Sequence, residues 1–428
     1  MKRIAVLGVS GRQSAIAWKL SQSDNIEKIF FLPGNMLSIP KVECVDITFK
    51  ESEKMIKFLS DNNIDYILPD GGEMYSAGIV DDFESRGFKI FGPSKVASQL
   101  ESSKAFAKNF MKKHGIPTVD FQAFSDYDEA LSYVKNRKEG PVVIKADGLV
   151  RGRGVTIART KKEAFETLEE ILVTGIFGDA GNKVIVEDYI EGPEVSVHVI
   201  TDGKNYKILP LIQDHKPRND GNKGPNTGGM GTYTPLDWVT DDVLSDIENL
   251  IVKPTFEGLA KEGVVFKGLL FPGLMLTKDG PMVLEYNTRF GAPETQSLMM
   301  ILDSDLDELF TAVLDGRLGE YEYTWKNGYG ATVEVVCSNY PKELNGTDSF
   351  IDDEDVGFSG QYYFTDATKE NGRLKTAGGK VVSVSSYGST LEKALEDVYK
   401  GVSGIHFNGM HYRTDIGRLT NVIPKKDK

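Results

Sequence analysis

The segment from Lys145 to Val155 reads Lys-Ala-Asp-Gly-Leu-Val-Arg-Gly-Arg-Gly-Val and combines three glycines with three cationic side chains. A turn of this composition can fold its backbone N–H groups around phosphate oxygens, while Lys145 and Arg153 neutralise the phosphate charge. An ordinary solvated hairpin turn has the same composition. The segment therefore indicates a phosphate site only if partner residues are found elsewhere in the chain.

Acidic residues in a later segment are candidate partners for a nucleotide. Glu187 ends one predicted strand and Glu194 begins the next, an arrangement that could present a backbone edge and a carboxylate to adenine and ribose. Taken alone, each of these residues is more often a surface acid.

A second group combines metal-binding oxygens with a cation. Glu285 and Asn287 are two residues apart on one predicted strand, so their side-chain oxygens point to the same face. Mg²⁺ takes hard oxygen ligands and usually keeps one or two carboxylates plus substrate phosphates. A Glu-x-Asn sequence is common, but Arg289 places a cation at the same end of this strand. Together these residues indicate a site for a metal and a phosphate.

Strands and helices alternate through the first hundred residues, as is typical of a parallel sheet. Strands are predicted at 4–7, 28–32, 66–68 and 89–91, and helices at 14–20, 51–62 and 79–86. Gly92-Pro93 ends this pattern, and a charged helix predicted at 102–114 leads into a second domain.

Short strands around the glycine turn predict a flap that covers a ligand. The predicted elements here are strands at 142–145, 155–158 and 183–188 and a helix at 162–172. Further strands are predicted at 195–201 and 206–210. The polar segment 214–233 carries five glycines, which predicts a functional loop rather than a helix or a core strand. A helix at 241–262, a hairpin of 268–276 with 282–287, and an antiparallel tail with a helix at 390–402 complete the chain.

The composition excludes several classes of protein. Lys and Arg number 50 against 63 Asp and Glu, and the net charge of −13 argues against binding to nucleic acid or to anionic lipid. The two cysteines, Cys44 and Cys337, are too far apart in sequence for a metal knuckle or a disulfide framework, which suits a reducing cytosol. No apolar run approaches the roughly 18 residues of a membrane span. We therefore expect a cytoplasmic enzyme with no nucleic-acid or membrane partner.

Several blocks are similar in order and spacing to the phosphoribosylamine–glycine ligase family of ATP-grasp enzymes. The blocks are 92–94, 100–106, 145–155, 213–216, 224–231, 285–296, 376–381 and 412–417. The most specific of them are Pro225-Asn226-Thr227-Gly228-Gly229-Met230-Gly231 and the run from Glu285 to Gln296. The resemblance covers essentially the whole chain.

The resemblance implies a multidomain fold that is part α/β and part α+β. A Rossmann-like N-terminal domain is expected at 1–100, and an ATP-grasp domain at 101–325 with a flap subdomain at about 120–190. A small C-terminal α/β domain is expected at 326–428. A monomer or a small homo-oligomer is expected.

The implied activity is that of an ATP-dependent, ADP-forming carboxylate–amine ligase that works through an acyl phosphate. Its named form joins glycine to 5-phosphoribosylamine in purine synthesis, so the partners would be a small carboxylic acid and an amine. The implied cofactors are ATP and Mg²⁺ or Mn²⁺.

The resemblance also assigns roles to individual residues. The residues implied to bind ATP are Lys104, Lys145, Arg153, Glu187, Ile190 and Glu194, and those implied to bind the metal are Glu285 and Asn287. The residues implied to bind substrates are Gly11, Arg12, Asn226, Thr227, Gly228, Gly229 and Arg289. The residues implied to be catalytic are Arg289, Lys216 and Asp214.

The chain departs from the family pattern at several points. Gly11-Arg12-Gln13-Ser14-Ala15 replaces Gly-Arg-Glu-His-Ala, and the run from Pro69 to Glu73 replaces Gly-Pro-Glu-Ala-Pro. Ala292 replaces an Asp, Arg153 a Lys, and Pro217-Arg218 an Arg. These departures leave open a paralogous ligase that joins a different acid or amine.

Two hypotheses from other classes fit less well. A nucleotide-binding regulator without turnover would not need Arg289 beside a metal pair. A dehydrogenase is disfavoured because Ser14 stands where the dinucleotide fingerprint requires its third glycine.

Overall fold

The structure is a computed structural model that describes residues 1–34, 39–150, 152–343, 346–419 and 423. The first sheet is parallel, as predicted, and its strands lie in the order Val42–Cys44, Ile26–Pro33, Lys2–Gly8, Tyr66–Leu68. Along the Lys2–Gly8 strand, Ile4 and Val6 pack into one apolar cluster while Ala5 and Leu7 pack into another. Burial of both faces explains why this strand is a continuous apolar run.

Helices flank this sheet at Gly11–Ser21, Ser52–Asp61, Glu73–Ala77 and Ile79–Ser85. The strand predicted at 89–91 is wrong as an element, because it forms only the isolated bridge of Ile90 to Ile67. The strand Val42–Cys44 and the helix Glu73–Ala77 were not predicted. Both are short, at three and five residues, and no residue of Val42–Cys44 is buried.

A short helix, Gln99–Ser102, and a longer one, Lys104–His114, follow. The longer helix begins after Ser103, whose side chain accepts a hydrogen bond from the N–H of Phe106. It ends at Gly115, which adopts φ +68. These two signals fix the boundaries within two residues of the predicted helix.

The flap is a four-stranded antiparallel sheet in the order Phe121–Phe124, Val184–Asp188, Val142–Ala146, Val155–Ala158. Its helical segments are Tyr127–Asn136, Lys161–Leu168, a π-helical turn at Glu169–Val173 and a 3₁₀ turn at Gly178–Gly181. Val142 and Ile144 pack with the helices, whereas Val143 and Lys145 face the opposite side. Strand alternation therefore turns Lys145 away from the core of the flap.

The central sheet runs in the order Tyr206–Ile208, Val199–Thr201, Gly268–Thr277, Gly280–Asn287, and Glu194–Ser196 also pairs with Gly268–Thr277. The predicted hairpin of the last two long strands is confirmed. The single strand predicted at 195–201 is divided in two, because Glu194–Ser196 and Val199–Thr201 pair with different parts of the same long strand. The predicted helix at 241–262 is Asp241–Ile247, a π-helical turn at Glu248–Val252 and Lys253–Lys261.

The third sheet joins distant parts of the chain in the order Gln213–Asp214, Gly231–Thr234, Tyr329–Cys337, Lys380–Gly388, Gln361–Phe364, with Met410–His411 against Tyr329–Cys337. Further helical segments lie between these strands along the chain. They are the helices Glu294–Ile301 and Leu306–Leu314, a 3₁₀ turn at Leu318–Glu320, and the helix Leu391–Ser403. Two-stranded pairs form between Pro217–Asn219 and Lys223–Asn226, Asp352–Asp353 and Ile405–His406, and Ala367–Glu370 and Arg373–Thr376.

The loop predicted at 214–233 is wrong in its last part, because Gly231–Thr234 is a buried strand of the third sheet. Glycine is required at position 231, since a Cβ there would lie 2.6 Å from the carbonyl oxygen of Thr332. The strands of this sheet come from both sides of residue 325, the predicted boundary between the ATP-grasp and C-terminal domains. The three predicted domain ranges stay a prediction. Among the described residues, no helix is long and apolar enough to cross a membrane.

We expect Gly231→Ala to lower the free energy of unfolding by about 3 kcal/mol, because the new methyl group overlaps a backbone carbonyl in a packed sheet. The control is Gly263→Ala, at a residue with φ +73 and open space around it, which should cost only about 1 kcal/mol. Urea unfolding followed by tryptophan fluorescence compares the two. Equal costs would contradict the close approach at position 231.

Candidate active site

A cleft of about 940 Å³ lies where the first sheet, the flap, the central sheet and the third sheet meet. The first sheet contributes its carboxyl edge, where ligands of open α/β sheets bind. The predicted residues that line the cleft are Arg12, Lys104, Lys145, Glu187, Ile190, Glu194, Asp214, Lys216, Asn226, Thr227, Gly228, Glu285, Asn287 and Arg289. One cavity thus brings together predicted residues that are up to 277 positions apart, from Arg12 to Arg289.

Lys145 and Glu187 form a buried ion pair on the inner face of the flap. The Nζ atom of Lys145 lies 2.8 Å from Oε2 of Glu187 and donates to the carbonyl oxygen of Leu284 at 3.0 Å. Lys108 lies on the other side of the carboxylate, with its Nζ atom 3.2 Å from Oε1 and a hydrogen bond to Thr118. Burial, reinforced by the nearby charge of Lys145, lowers the pKa of Lys108 to about 8.

The glycine turn of the flap is tied to the start of the Lys104–His114 helix. The Asp147 carboxylate accepts hydrogen bonds from the N–H of Ala105 at 2.7 Å and from the hydroxyl of Ser103. The Nζ atom of Lys104 donates to the carbonyl oxygen of Gly148 at 3.3 Å. Burial lowers the pKa of Lys104, and the charge of Glu285 partly offsets this effect. The helix terminus therefore fixes where the turn leaves the flap.

The turn then reaches across the cleft. A Cβ placed on Gly152 would lie 3.5 Å from the Cα atom of Gly228, so the turn approaches the loop on the opposite wall. Arg153 is exposed and does not line the cleft. Arg151, the third cation predicted for this turn, lies outside the described residues.

Glu285, Asn287 and Arg289 meet at the end of the Gly280–Asn287 strand. Burial alone would raise the pKa of Glu285, but Lys104, Lys145, Lys216 and Arg289 together lower it below its usual range. Its carboxylate is therefore anionic at neutral pH. The guanidinium of Arg289 donates to the Asn287 amide oxygen at 3.0 Å.

This donor set fits Mg²⁺. It offers one anionic carboxylate and one amide oxygen beside the cleft, which leaves the remaining coordination positions to phosphates and water. Among the described residues, no three or more His, Cys, Asp or Glu side chains are grouped so that they could hold a metal ion by themselves. A metal here would need phosphates or water as further ligands.

Arg289 is held in place by Glu101. The Nε atom of Arg289 donates to one oxygen of the Glu101 carboxylate at 3.0 Å, and Thr288 donates to the other oxygen through its N–H and its hydroxyl. On the opposite side, a Cβ on Gly71 would lie 2.5 Å from the Cβ of Arg289. The glycine in the divergent run from Pro69 to Glu73 thus makes room for the arginine.

Lys216 faces two carboxylates on the wall below the turn. Its Nζ atom lies 2.6 Å from Oδ2 of Asp214 and 4.0 Å from Oε1 of Glu294. Burial would lower the pKa of Lys216, but these carboxylates raise it above its usual value, so the side chain is cationic. The carbonyl oxygen of Lys216 accepts hydrogen bonds from the N–H and the hydroxyl of Thr227.

Two predicted substrate residues lie just outside the lining of the cleft. Gly229, with φ +101, packs over Asp214, where a Cβ would lie 2.7 Å from Oδ1. Gly11 begins the first helix and lies against the side chains of Gln296 and Thr365. Arg12, the next residue, does line the cleft, and its Nε atom lies 2.6 Å from Oδ1 of Asp70.

The sequence interpretation missed the residues that hold these groups in place. Glu101, Glu294 and Lys380 lie inside the motif blocks quoted above but were given no role. Lys380 donates to the carbonyl oxygen of Gly228 at 3.0 Å. Lys108 could have been found from its spacing, because residues four apart on a helix share a face with Lys104.

Three family models match consecutive parts of the chain. They describe the N domain, the ATP-grasp (A) domain and the C domain of phosphoribosylglycinamide synthetase, at residues 2–101, 102–295 and 330–419. The chain belongs to the phosphoribosylglycinamide synthetase family. The family predicted from the motif blocks is confirmed.

Individual relatives agree with this assignment. A protein of Clostridium acetobutylicum named phosphoribosylamine–glycine ligase is 40% identical over 418 residues, which cover 97% of this chain and 99% of that protein. The crystal structure of the Thermotoga maritima protein of the same name has a TM-score of 0.81 and 32% identity, and the match covers 97% of this chain and 100% of that one. The predicted class of enzyme, a ligase that forms a C–N bond, is confirmed by these relatives.

The fold is also shared with more distant proteins. The biotin carboxylase domain of the 2-oxoglutarate carboxylase of Hydrogenobacter thermophilus has a TM-score of 0.72 at 17% identity, and the match covers 96% of this chain and 91% of that one. The predicted multidomain α/β class with an ATP-grasp centre is confirmed.

The lowered pKa of Lys108 predicts a pH-dependent effect on stability. Between about pH 8 and 10.5 the unfolded chain holds a proton on Lys108 that the folded chain has lost, so stability rises with pH. The variant Lys108→Met lacks the titrating amine and serves as the reference. We expect the difference in the free energy of unfolding, native chain minus variant, to increase by up to about 1.4 kcal/mol per pH unit in this range. Urea unfolding at pH 8 and 10 measures this difference. A difference that stays constant or falls would contradict the buried environment of Lys108.

Proposed function

We propose that the chain joins glycine to 5-phosphoribosylamine at the expense of ATP, as a cytoplasmic step of purine synthesis. The products are glycinamide ribonucleotide, ADP and phosphate. The observation that carries the proposal is the meeting of Glu285, Asn287 and Arg289 in one cleft beneath a flap that carries Lys145. The choice of glycine and phosphoribosylamine is supported by the names of relatives that match along 97% of the chain.

ATP would lie between the flap and the central sheet. The cleft is apolar there, with Val143 and Ile157 from the flap and Met275 and Leu284 from the central sheet. The pair of Lys145 and Glu187 lies at the same end, and Lys104 lies on the way to Glu285. This order fits an adenine at the apolar end and a triphosphate that runs toward Glu285. The domain named with MgADP in Hydrogenobacter thermophilus has the same fold, which agrees with nucleotide binding in this cleft.

Glu285 and Asn287 would hold Mg²⁺ or Mn²⁺ against the phosphates. When bound, the metal would neutralise phosphate charge and hold the terminal phosphoryl group in place. Arg289 would neutralise the charge that develops on the transferring phosphoryl oxygens, because its guanidinium is aimed at this region by Glu101.

The reaction would proceed in two steps. A carboxylate oxygen of glycine attacks the γ-phosphorus, the bond to the ADP oxygen breaks, and glycyl phosphate forms. The amine then attacks the carbonyl carbon, phosphate leaves with the bonding electron pair, and the amine loses one proton to solvent or to a carboxylate. Lys216, cationic between Asp214 and Glu294, is placed to stabilise the negative charge of the acid substrate and of the leaving phosphate.

The flap would protect the intermediate from water. Acyl phosphates hydrolyse, so their formation requires a closed cleft. The turn at Gly152 already approaches Gly228 on the opposite wall. Arg12 at the carboxyl edge of the first sheet and Lys380 from the third sheet line the cleft, and they would bind the phosphate of the amine substrate.

A paralogous ligase that joins a different acid or amine is not favoured. Ala292 lines the cleft where the family has an Asp, and the first-sheet loops differ from the family pattern. Even so, the relatives named for glycine match at about 40% identity along almost the whole chain.

The proposal predicts that ADP release requires glycine and 5-phosphoribosylamine together. We expect the gene to restore purine-independent growth to a strain that lacks its own phosphoribosylamine–glycine ligase. Phosphate release with ATP, Mg²⁺ and a panel of amino acids measures the choice of acid directly. Failure to restore growth, together with faster turnover of an acid other than glycine, would replace this proposal with the paralogue.

The ion pair of Glu101 with Arg289 predicts a kinetic effect. We expect Glu101→Gln to reduce kcat by about 30-fold, because a charge-assisted hydrogen bond of about 2 kcal/mol that aims the guanidinium is lost. The KM for ATP should change by less than about threefold, since Lys145 and Glu187 are untouched. The control is Glu262→Gln, which removes an exposed partner of Lys113 and should leave kcat unchanged. An unchanged kcat in Glu101→Gln would show that Arg289 does not depend on this carboxylate.

A further inference from the structure

The C-terminal motif Tyr412-Arg413-Thr414-Asp415-Ile416-Gly417 has no role in the reaction described above, and it lies outside the lining of the cleft. Residues 411–417, which we name the C-terminal clasp, contact the hairpin formed by Pro217–Asn219 and Lys223–Asn226. We name residues 217–226 the substrate hairpin, because it leads directly into Asn226, Thr227 and Gly228 in the cleft.

The strongest contact is made by a buried arginine. Arg413 is 0% exposed, and its Nε and Nη2 atoms form two hydrogen bonds to the Asp415 carboxylate, at 2.8 and 2.9 Å. Its remaining Nη1 atom donates to the carbonyl oxygen of Pro217, at the start of the substrate hairpin. Asp415 accepts a further hydrogen bond from the N–H of Gly221, at the tip of the hairpin. One ion pair thus holds both ends of the hairpin.

Two further contacts join the same segments. Asp220 accepts hydrogen bonds from both the N–H and the hydroxyl of Thr414. His411 lies with its Nε2 atom 3.0 Å from the carbonyl oxygen of Arg218.

His215 connects the clasp to the residue before Lys216. Its Nε2 atom accepts a hydrogen bond from the N–H of Gly417, and its Nδ1 atom lies 3.0 Å from the carbonyl oxygen of Gly231. This arrangement requires a neutral ring with the proton on Nδ1. Burial, together with the charge of Arg413, lowers the pKa of His215 to about 4, which agrees with the neutral form.

The hairpin needs such support. Its strands meet at only two register positions, Pro217 with Asn226 and Asn219 with Lys223, and residues 220–225 are exposed. An isolated two-stranded hairpin is marginally stable in water. The position of Asn226, Thr227 and Gly228 in the cleft therefore depends on contacts made outside the hairpin.

We propose that the C-terminal clasp is a positioning device for the acid substrate. Through Asp415 and the carbonyl oxygen of Pro217, Arg413 holds the substrate hairpin so that Thr227 and Gly228 lie beside Lys216 and beneath the flap turn. Arg413 and Asp220 are positioning residues rather than catalytic residues, because neither reaches the cleft. This inference rests on the proposed ligase function.

The test uses the full-length enzyme with two variants that loosen the clasp by different routes. Asp220→Ala removes an exposed anchor with little risk to folding, and Arg413→Lys keeps the charge but loses the paired hydrogen bonds. The control is Arg373→Ala, which breaks an exposed ion pair with Asp352 in the same C-terminal region but away from the hairpin. The KM values for glycine, the amine and ATP are measured separately, and hydrogen exchange is followed in peptides that cover 217–229.

We expect both clasp variants to raise the KM for glycine by about tenfold, with the KM for ATP within about twofold, and to exchange faster at 217–229. The control should change neither quantity. A folded Asp220→Ala variant with unchanged exchange and an unchanged KM for glycine would overturn the proposal, as would equal rises in all three KM values.

Failure of the proposed function gives a different pattern. If the native chain releases no ADP with glycine and 5-phosphoribosylamine, the ligase assignment to these substrates fails. Hydrogen exchange then still decides whether the clasp fixes the hairpin, since it does not depend on turnover.

Discussion

The site depends on ion pairs between four cations that line the cleft and four carboxylates, three of which come from distant parts of the chain. Lys145 pairs with Glu187, Lys216 with Asp214, Arg289 with Glu101 and Arg12 with Asp70, all at 3.0 Å or less. Unpaired, so many positive charges in one partly buried cleft would repel one another and be costly to desolvate. Paired, each of these cations has a defined direction, as the proposed triphosphate site requires.

The same pairing explains why Glu285 can serve a metal. Four cations surround it and lower its pKa, and three of them, Lys145, Lys216 and Arg289, form their ion pairs with other carboxylates. Glu285 therefore stays anionic without a close ion pair to these three cations, and Lys104 is the cation on which its charge acts most. Its charge is available to a divalent ion, and Asn287 adds a neutral oxygen next to it. The arrangement thus separates the carboxylates that orient cations from Glu285, which we propose binds the metal.

The sequence predicted the parts of the site that lie on single elements. The shared face of Glu285 and Asn287 follows from strand alternation, and Arg289 lies two residues beyond the end of that strand. Three of the four strands of the first sheet follow from their apolar runs. Ion partners such as Glu101 for Arg289 could not be predicted, because these residues are 188 positions apart and meet only when separate segments pack. The strand Gly231–Thr234 was missed for a related reason. Its glycine appeared to disfavour a strand, whereas the structure needs glycine there because Thr332 approaches closely.

Hydrogen bonds to backbone atoms also hold the site in place, and they come from several segments of the chain. The flap turn is fixed by the N-terminus of the Lys104–His114 helix, the loop at Thr227 by the carbonyl of Lys216, and Gly228 by Lys380 and Tyr340 from the C-terminal part of the chain. Each wall of the cleft is thus positioned by a neighbouring segment. This is consistent with family models that match in order along nearly the whole chain.

The most direct test of the central claim is a crystal structure with a non-hydrolysable ATP analogue, Mg²⁺ and glycine. The account predicts that oxygens of Glu285 and Asn287 lie about 2.1 Å from the metal. It also predicts that Arg289 contacts the terminal phosphate while its hydrogen bond to Glu101 is kept. A metal held by other residues, or an Arg289 that leaves Glu101 and points away from the nucleotide, would contradict it.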